Sequence, residues 1–434
     1  MGRNRYTERC RTRDRAPAEG AFFGEKSAPI APVAGLNPRP EQLELWSRGA
    51  DSGKPRLDPM PSPIPPSPAP PATSVADVSF YREPALRRAV QALVERGGSE
   101  PREAELVAHN LVLANASGHA SHGVGMLARY VDALQDGGLS VNRHVRIELD
   151  TGPLLRLDGE SGYGQVLGKE AMDLGSERAQ EHGVCVVALA NAHHLGRIGH
   201  WAEQCLERGL TSIHFVNVVT RPIVAPFGGL DARTGTNPVC IGIPRPGEEP
   251  ILLDFATSRI AQGKTRIAYN RGEQVAPGSL LDNEGRPTTD PKYGVVPPFG
   301  ALLPFGEHKG FGLSLVAELL GGALTGGPTC RQAPSGKRRI INGLFAVLID
   351  TVQLGTLPHF AREAAAYIDW LRRSPVPPGE PGILLAGEPE RAARRRAQVE
   401  GVAIDRTTWN EILAAGEKLG LPRAEFERLA SGRG

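Results

Sequence analysis

Apolar residues recur with helical spacing near both ends of the chain. Between Arg82 and Arg96 they repeat every three or four positions, which predicts an amphipathic helix. The same spacing predicts helices at Pro101–Ala116 and Met126–Asp136, and at Phe360–Arg372 and Arg406–Leu429 towards the C-terminus. Because amphipathic helices must bury their apolar faces, we expect the helices of the two chain ends to pack together as one layer.

The middle of the chain has a different pattern, in which short apolar runs alternate with helical segments. Val184 to Ala190 is an apolar run too short for a typical helix, so it predicts a buried strand. Helices are predicted at Leu167–His182 and Gly310–Leu324. Further strands are predicted at residues 145–149, 154–157, 211–219, 239–243, 251–254 and 342–350. This alternation predicts a mixed α/β domain between the two helical ends.

Residues 1–75 show neither pattern. Met60 to Ala72 consists mostly of Pro, Ser and Ala, a composition that favours polyproline II and builds no core. We therefore predict a disordered Pro-rich extension over residues 1–75, either a tether or a stretch upstream of the true translation start. A helical domain over 76–145, a mixed α/β domain over 146–350 and C-terminal helices over 351–434 follow it.

Charge and cysteine content limit which partners and which cellular compartment we expect for the protein. The 50 Lys and Arg residues nearly balance 48 Asp and Glu, and only 5% of residues are aromatic, which argues against nucleic-acid binding. The five cysteines are scattered without two-residue spacing, which favours a reducing, cytoplasmic location. Met1 to Glu19 has no apolar signal-peptide run, and the apolar stretch 310–326 is short and rich in glycine. We expect no membrane partner.

The first candidate for chemistry is the loop Ser121-His122-Gly123 between two predicted helices. Histidine titrates near neutral pH, so an imidazole in an exposed turn suits proton transfer. His119 is a competing choice, and a purely structural role for either histidine also fits the sequence.

A second candidate, Asn191 to Gly199, follows the buried strand that ends at Ala190. Loops that leave strands are where α/β proteins bind ligands, and Arg197 is suited to a phosphate or carboxylate. His193 and His194 fit a capping or packing role equally well. Zinc binding is less favoured, because His193, His194, His200 and His214 match no metal-binding spacing.

Three further loops carry polar groups, namely Gly235-Thr236-Asn237-Pro238, Asp254 to Ser258 and Glu307-His308-Lys309-Gly310. Lys264 and Arg266 follow the second of these loops. Lys309 lies just before a predicted helix, where backbone donors and a cation suit a phosphate. Gly162 to Gly168 resembles a dinucleotide-binding loop, but its last spacing is one residue too long, so we interpret it as a helix start.

Together these motifs resemble the malate/L-lactate dehydrogenase family of the sulfolactate dehydrogenase type, over about Phe80 to Leu429. Within that family the chain is most similar to the hydroxycarboxylate dehydrogenases, through His193 to Gly199 and Gly387-Glu388. The other segments that carry the resemblance are Ser121 to Gly123, Gly162 to Gln165, Asn191 to His194, Gly235 to Pro238, Asp254 to Ser258, Gly285 to Pro291 and Glu307 to Gly310.

The resemblance implies a non-Rossmann α/β fold, with a mixed-sheet cofactor domain and a helical domain built from both chain ends. It implies NAD or NADP as cofactor, a homodimer, and interconversion of a small 2-oxo carboxylate with its 2-hydroxy carboxylate. No metal is expected. The glycine loop near residue 162 then has a structural role.

The family also implies roles for individual residues. His122 donates the proton with Ser121 beside it, and Thr236 contacts the substrate. Among the nearby cations Arg129, Arg197 and Lys264, we favour Arg197 or Lys264 for fixing the substrate carboxylate. The implied cofactor contacts are His194, Leu195, Gly196, Arg197, Ile198, Asp254, Phe255, Ala256, His308 and Lys309.

Two departures from the family pattern bear on the substrate. Met126 stands where many relatives have an arginine, which argues against small diacids and favours a larger or aromatic side chain. Lys264 stands where some imine-reducing relatives have aspartate, which argues against a cyclic imine. The alternatives are a piperideine-2-carboxylate reductase on the same fold, a zinc-dependent hydrolase that uses the histidines between His193 and His214, and a catalytically silent binding protein.

Overall fold

The computed structural model describes residues 78–332, 337–380 and 382–432. The extension predicted over residues 1–75 lies outside the described residues. The helices, in chain order, are α1 Glu83–Arg96, α2 Pro101–Ala116, α3 Leu127–Gln135, α4 Gly164–His182, α5 Gly199–Glu207, α6 Gln262–Arg271, α7 Lys292–Val295, α8 His308–Gly321, α9 Leu357–Arg372, α10 Glu388–Glu400, α11 Arg406–Lys418 and α12 Arg423–Ser431. The strands are β1 Val78–Tyr81, β2 Arg146–Asp150, β3 Leu154–Asp158, β4 Val184–His193, β5 Leu210–Val219, β6 Val239–Ile243, β7 Ile251–Phe255, β8 Leu280–Leu281, β9 Pro287–Thr288, β10 Ala301–Leu302, β11 Ile341–Asp350 and β12 Val402–Asp405.

Helices from the two chain ends share one apolar core. Leu93 of α1, Leu111 of α2, Ile412 of α11 and Phe426 of α12 are all fully buried in it. Strand β1 also pairs antiparallel with β12, which joins the two ends by backbone hydrogen bonds. The expected helical layer built from both chain ends is confirmed, whereas the residue limits of the domains stay predictions.

The middle of the chain forms a seven-stranded mixed sheet in the order β2-β3-β4-β11-β5-β6-β7. Strands β3 and β4 are parallel, and the remaining neighbours are antiparallel. This is not the doubly wound parallel order of a Rossmann fold. The predicted non-Rossmann α/β fold with a mixed sheet is confirmed.

Alternation along β5 shows how the two faces of the sheet are covered. Val216 belongs to the apolar core that contains Trp201 of α5, and its neighbour Asn217 must point to the opposite face. There Asn217 lies against Gly322, just beyond α8. Helices α4 and α5 therefore cover one face, and α8 covers the other.

Several predicted boundaries need correction. The single helix predicted over 406–429 is two helices, because Gly420-Leu421-Pro422 ends α11 at Lys418 and α12 starts at Arg423. The helix predicted to run to Leu324 ends at Gly321. Helix α10 was not predicted, since it is rich in charge and has no buried residue to reveal a periodicity. Within the described residues, no helix is both long and apolar enough to span a membrane.

Candidate active site

A cavity of about 500 Å³ lies where the turns before α3, the loop after β4, the end of β7 and the start of α6 meet. It brings together residues that lie far apart along the chain. Of the residues predicted for the site, those that line it are Ser121, His122, His194, Gly196, Arg197, Ile198, Thr236, Asp254, Phe255, Ala256 and Lys264.

Three predicted residues do not line this cavity. Leu195 is fully buried beneath it, where its carbonyl accepts a hydrogen bond from the indole N–H of Trp201 at 3.0 Å. His308 and Lys309 are exposed at the start of α8, where the His308 ring packs against Phe227. Their roles as cofactor contacts stay predictions.

His122 ends a short 3₁₀ turn, Ala120–His122, that is fixed by its surroundings. The side chain of Asn115 accepts a hydrogen bond from Val124 N at 2.8 Å. Gly123 lies so close to it that a Cβ there would come within 1.7 Å of Asn115 Oδ1. A larger residue at position 123 would displace the Asn115 side chain that fixes this turn, and the turn holds the imidazole towards the cavity.

The electrostatic setting keeps the His122 ring neutral. Burial lowers the pKa of His122 to about 4, and the nearby charges of His119, Arg197 and Arg129 act in the same direction. Ser121 Oγ lies 2.9 Å from His122 Nδ1, so Nε2 is the nitrogen left for a ligand. A neutral imidazole with one committed nitrogen is suited to accept a proton at the other.

The competing histidine, His119, is engaged elsewhere. Its Nε2 lies 3.1 Å from the carboxylate of Glu390 on α10. Hydrogen bonding to His119 lowers the pKa of that carboxylate, which therefore stays ionised. His119 lines the same cavity, but its Nε2 is engaged by Glu390.

His194 lies directly against His122. The two rings stack with centroids 5.5 Å apart and planes 18° from parallel. Behind His194, the hydroxyl of Tyr130 lies 2.8 Å from Nδ1, and Gln165 Nε2 donates to the same hydroxyl at 2.8 Å. Burial, followed by the charges of neighbouring groups, holds the pKa of His194 well below its usual range.

Arg197 is tied into a buried network of charges. Its guanidinium pairs with Glu203, whose other oxygen lies 2.5 Å from Arg394 of α10. Asp254 lies nearby and accepts from Gly199 N at 2.7 Å. Burial raises the pKa of Asp254, while Arg197 and that hydrogen bond oppose the rise. Arg197 thus shares its carboxylate partner with Arg394, and its Nη1 is buried without a hydrogen-bond partner among the described residues.

Lys264, Arg129 and Arg259 line this cavity without a carboxylate partner. Among the described residues none of the three forms an ion pair, whereas Arg266 pairs with Glu411 at 3.4 Å. Lys264 lies in the first turn of α6. The preceding Gly263 lets this turn approach the loop of Ser121 and His122 closely, because a Cβ there would lie 2.4 Å from Ser121 Cβ. The cavity thus offers unbalanced positive charge to an anion.

Several side chains that support these groups were not predicted from the sequence. Tyr130, Gln165, Glu203, Glu390 and Arg394 come from α3, α4, α5 and α10 and sit behind the residues that face the cavity. Four of them look like ordinary polar positions on a helix, and Tyr130 looks like an apolar core position. Only knowledge of which helices touch the loops would have identified them.

The histidines proposed for zinc do not converge. His214 is buried in β5, where Nε2 contacts Ser212 Oγ at 2.9 Å, and His200 packs against His109 and Trp201. Within residues 78–332, 337–380 and 382–432, no group of three His, Cys, Asp or Glu side chains is placed to hold a metal ion.

Comparison with known proteins places this arrangement in context. The family model for malate/L-lactate dehydrogenases matches residues 82–413. Hydroxycarboxylate dehydrogenase B of Escherichia coli K12 is 45% identical over 344 residues, which cover 79% of this chain and 95% of that protein.

Solved structures agree with this assignment. Sulfolactate dehydrogenase from Methanocaldococcus jannaschii superposes with a TM-score of 0.71 at 30% identity, covering 80% of this chain and 99% of that one. The Δ1-piperideine-2-carboxylate reductase from Pseudomonas syringae gives a TM-score of 0.68 at 29% identity, covering 78% and 99%. The resemblance found in the sequence is confirmed, and the chain belongs to the malate/L-lactate dehydrogenase family.

Proposed function

We propose that the protein uses NAD or NADP to interconvert 2-oxo carboxylates and 2-hydroxy carboxylates. The observation that carries the proposal is a proton-transfer histidine, His122, in one cavity with the unpaired cations Lys264 and Arg129. Membership of the malate/L-lactate dehydrogenase family supports this reaction class. The reaction requires a group that transfers a proton and a cation that binds a carboxylate, and these three side chains are suited to those roles.

The proton is assigned to His122. Reduction of a 2-oxo acid builds negative charge on the carbonyl oxygen, and a protonated imidazole neutralises that charge as it forms. In the reverse direction the neutral ring accepts the hydroxyl proton, which suits its pKa of about 4 in the free protein. A bound carboxylate stabilises the imidazolium and raises this pKa, so substrate binding itself prepares His122 for reduction.

The substrate carboxylate is assigned to Lys264 and Arg129. A charge-assisted hydrogen bond from a fixed cation holds the 2-oxo group in line with His122. Thr236 lines the same cavity and supplies a hydroxyl for orientation. Arg197 is the weaker candidate, because its guanidinium is already paired with Glu203.

The cofactor would lie against the loop His194 to Ile198 and the segment Asp254 to Ala256, which both open onto the cavity. Only Gly199 N donates to Asp254 among the described residues, through Oδ2. Oδ1 is therefore able to accept a ribose hydroxyl, and the residues present fit a dinucleotide. The nicotinamide supplies or accepts the hydride of the reaction.

Met126 bears on the choice of substrate. It is buried and lines the cavity, so it offers a thioether where an arginine would offer charge. Apolar contact of this kind favours a 2-oxo acid with a large or aromatic side chain over a second carboxylate.

We further propose that two copies of the chain associate through α8. Leu315, Val316 and Leu319 of this helix are 45%, 41% and 51% exposed on its outer side. A contiguous apolar face on a helix that covers the central sheet is typical of a protein interface. Light scattering should give twice the mass of one chain for the wild type and Leu319→Glu should release monomers, while Val399→Glu on α10 serves as an exposed control.

The deciding experiment measures oxidation of NADH and NADPH with pyruvate, phenylpyruvate, oxaloacetate and Δ1-piperideine-2-carboxylate. We expect turnover of the 2-oxo acids, with phenylpyruvate preferred to oxaloacetate. Preference for the cyclic imine would instead favour the imine reductase, the activity that the name of the Pseudomonas neighbour describes. No oxidation with any substrate would refute the proposal, and metal analysis of the same sample tests the hydrolase alternative.

A further inference from the structure

Two stacked imidazoles, His122 and His194, line the candidate active site. Either one is chemically able to carry the proton of the reaction, and both are neutral in the free protein. Their ring centroids are only 5.5 Å apart, so two protonated rings would repel each other strongly in a buried setting. The hydrogen bonds behind each ring decide which one takes the proton.

The hydrogen bonds behind His194 have a fixed direction from donor to acceptor. Gln165 Nε2 carries only donors, so the hydroxyl oxygen of Tyr130 accepts at this contact. The single proton of that hydroxyl is then donated to His194 Nδ1, 2.8 Å away. His194 Nδ1 is therefore an acceptor, and a neutral ring of this kind holds its hydrogen on Nε2.

This chain of donors is protected from rearrangement by water. Tyr130 and Gln165 are only 1% and 2% exposed. Burial is the main reason that the pKa of Tyr130 is raised, so its hydroxyl stays protonated. A second proton on His194 would have to enter at Nδ1, where the Tyr130 hydroxyl already points its hydrogen.

The contact behind His122 has no fixed direction. Ser121 Oγ lies 2.9 Å from His122 Nδ1, and a serine hydroxyl rotates to donate or accept as needed. It accepts from Nδ1–H of the neutral ring, which leaves Nε2 free to take the proton, and it accepts the same hydrogen bond from the imidazolium. His122 therefore gains and loses a proton without losing a hydrogen bond.

We propose that Gln165 and Tyr130 assign the proton of the reaction to His122, by holding His194 as a neutral ring with its hydrogen on Nε2. This inference rests on the proposed function. Tyr130 and Gln165 do not line the cavity, so they are positioning residues that act through His194. His194 then presents an N–H to the cavity, suited to an acceptor oxygen of the bound cofactor or substrate.

The charged groups around the two rings reinforce this assignment. Most are cationic, so they oppose a second proton in the cavity. From the packed elements the cations are Arg129, Arg197, Arg259, Lys264 and Arg266, the carboxylates are Asp254 and Asp405, and His119 and His193 are the further titratable groups.

Nitrogen NMR of the cofactor-free protein, labelled with ¹⁵N-histidine, tests the inference without any assay of activity. His194, assigned by its loss in His194→Gln, should show a hydrogen on Nε2 and an unprotonated Nδ1 throughout about pH 5 to pH 8. A hydrogen on Nδ1, or titration of His194 in that range, would overturn the inference even if the protein is an active dehydrogenase.

A variant then tests the role of the hydroxyl. Tyr130→Phe keeps the ring and removes the donor, so His194 should lose its single tautomer and titrate within that pH range. Its kcat for a 2-oxo acid should fall by roughly tenfold, the effect of one lost hydrogen bond, with KM nearly unchanged. The pH profile of kcat should also gain a second ionisation.

Tyr163→Phe is the matched control. Tyr163 is equally buried, and its ring packs edge-on against Tyr130 at 5.7 Å. Its loss should leave both the His194 tautomer and the pH profile as in the wild type. An unchanged pH profile in Tyr130→Phe, or the same change in both variants, would contradict the proposal.

Discussion

Two concave regions of the described chain differ in size and in charge. The larger, about 1320 Å³, lies between α1, α2, α5 and the turn after β6. Most of its cations are matched by acids, as in Arg102 with Glu105, Lys169 with Asp173 and Arg391 with Glu249. The smaller, about 500 Å³, holds Lys264 and Arg129 without ion pairs beside two stacked histidines.

The difference shows that unbalanced charge locates a site better than volume does. Paired surface charges contribute little to stability and attract ligands weakly, because each cation already has its counter-ion. Two stacked histidines whose pKa values are lowered by burial, beside cations without ion pairs, are typical of a functional site. The larger region is therefore a solvated groove of salt bridges, and the smaller one is where we propose that a carboxylate substrate binds.

Removal of the His122 imidazole is the largest expected loss at the smaller cavity. His122→Ala should lower kcat for a 2-oxo acid by about 10²- to 10⁴-fold, the range for a lost general acid. His119→Ala, which breaks the contact to Glu390, should cost less than about tenfold by the same measure. Steady-state rates of both variants check this, and equal losses would mean that His122 is not the proton donor.

Removal of an unpaired cation should weaken substrate binding. Lys264→Met should raise KM for a 2-oxo acid by about 10- to 100-fold, because one charge-assisted hydrogen bond to the carboxylate is lost. Arg88→Met is the matched control, since Arg88 lines the larger cavity and also forms no ion pair among the described residues. A similar rise in KM for both variants would remove the distinction between the two regions.

The substrate preference should follow the charge at position 126. Met126→Arg places a guanidinium where the cavity now has a buried thioether. It should shift the ratio of kcat/KM for oxaloacetate to that for phenylpyruvate by about tenfold towards the diacid. Competition assays with both substrates measure the ratio, and an unchanged ratio would show that Met126 does not face the substrate side chain.

Buried histidines should also make stability depend on pH. Burial lowers the pKa of His200, at the larger region, and of His214 in the sheet core from 6.5 to about 3. The unfolded chain binds these protons first, so the stability is complete above pH 6.5 and is lost as pH falls towards the folded pKa. Each histidine should contribute roughly 1.4 kcal/mol per pH unit.

Urea unfolding between about pH 7 and pH 5 measures that loss. His214→Asn should flatten the dependence, because it removes one of the groups whose pKa is depressed. A free energy of unfolding that does not change with pH would show that these rings are solvated.

The sequence predicted the parts of the fold and site that depend on local pattern. Helix α2 begins and ends where the apolar spacing predicts, at Pro101 and Ala116. The loops around His122 and Arg197 are recognisable because each has its functional residues close together in the chain. The family resemblance then predicted that these separate loops belong to one site.

What the sequence could not predict depends on contacts between distant segments. Arg394 reaches Glu203 across 191 positions, and nothing local indicates that the charged helix α10 packs behind the loop of Arg197. Tyr130 likewise looks like an apolar core position of α3 in the sequence. Its hydroxyl forms hydrogen bonds only with Gln165 and His194, which lie far from it along the chain.

A crystal structure of the protein with oxamate, an unreactive mimic of a 2-oxo acid, tests most directly where the substrate binds. We predict that oxamate occupies the smaller cavity, with its carboxylate on Lys264 or Arg129 and its amide oxygen facing His122 Nε2. Oxamate bound in the larger groove, or in the smaller cavity but turned away from His122, would contradict the account.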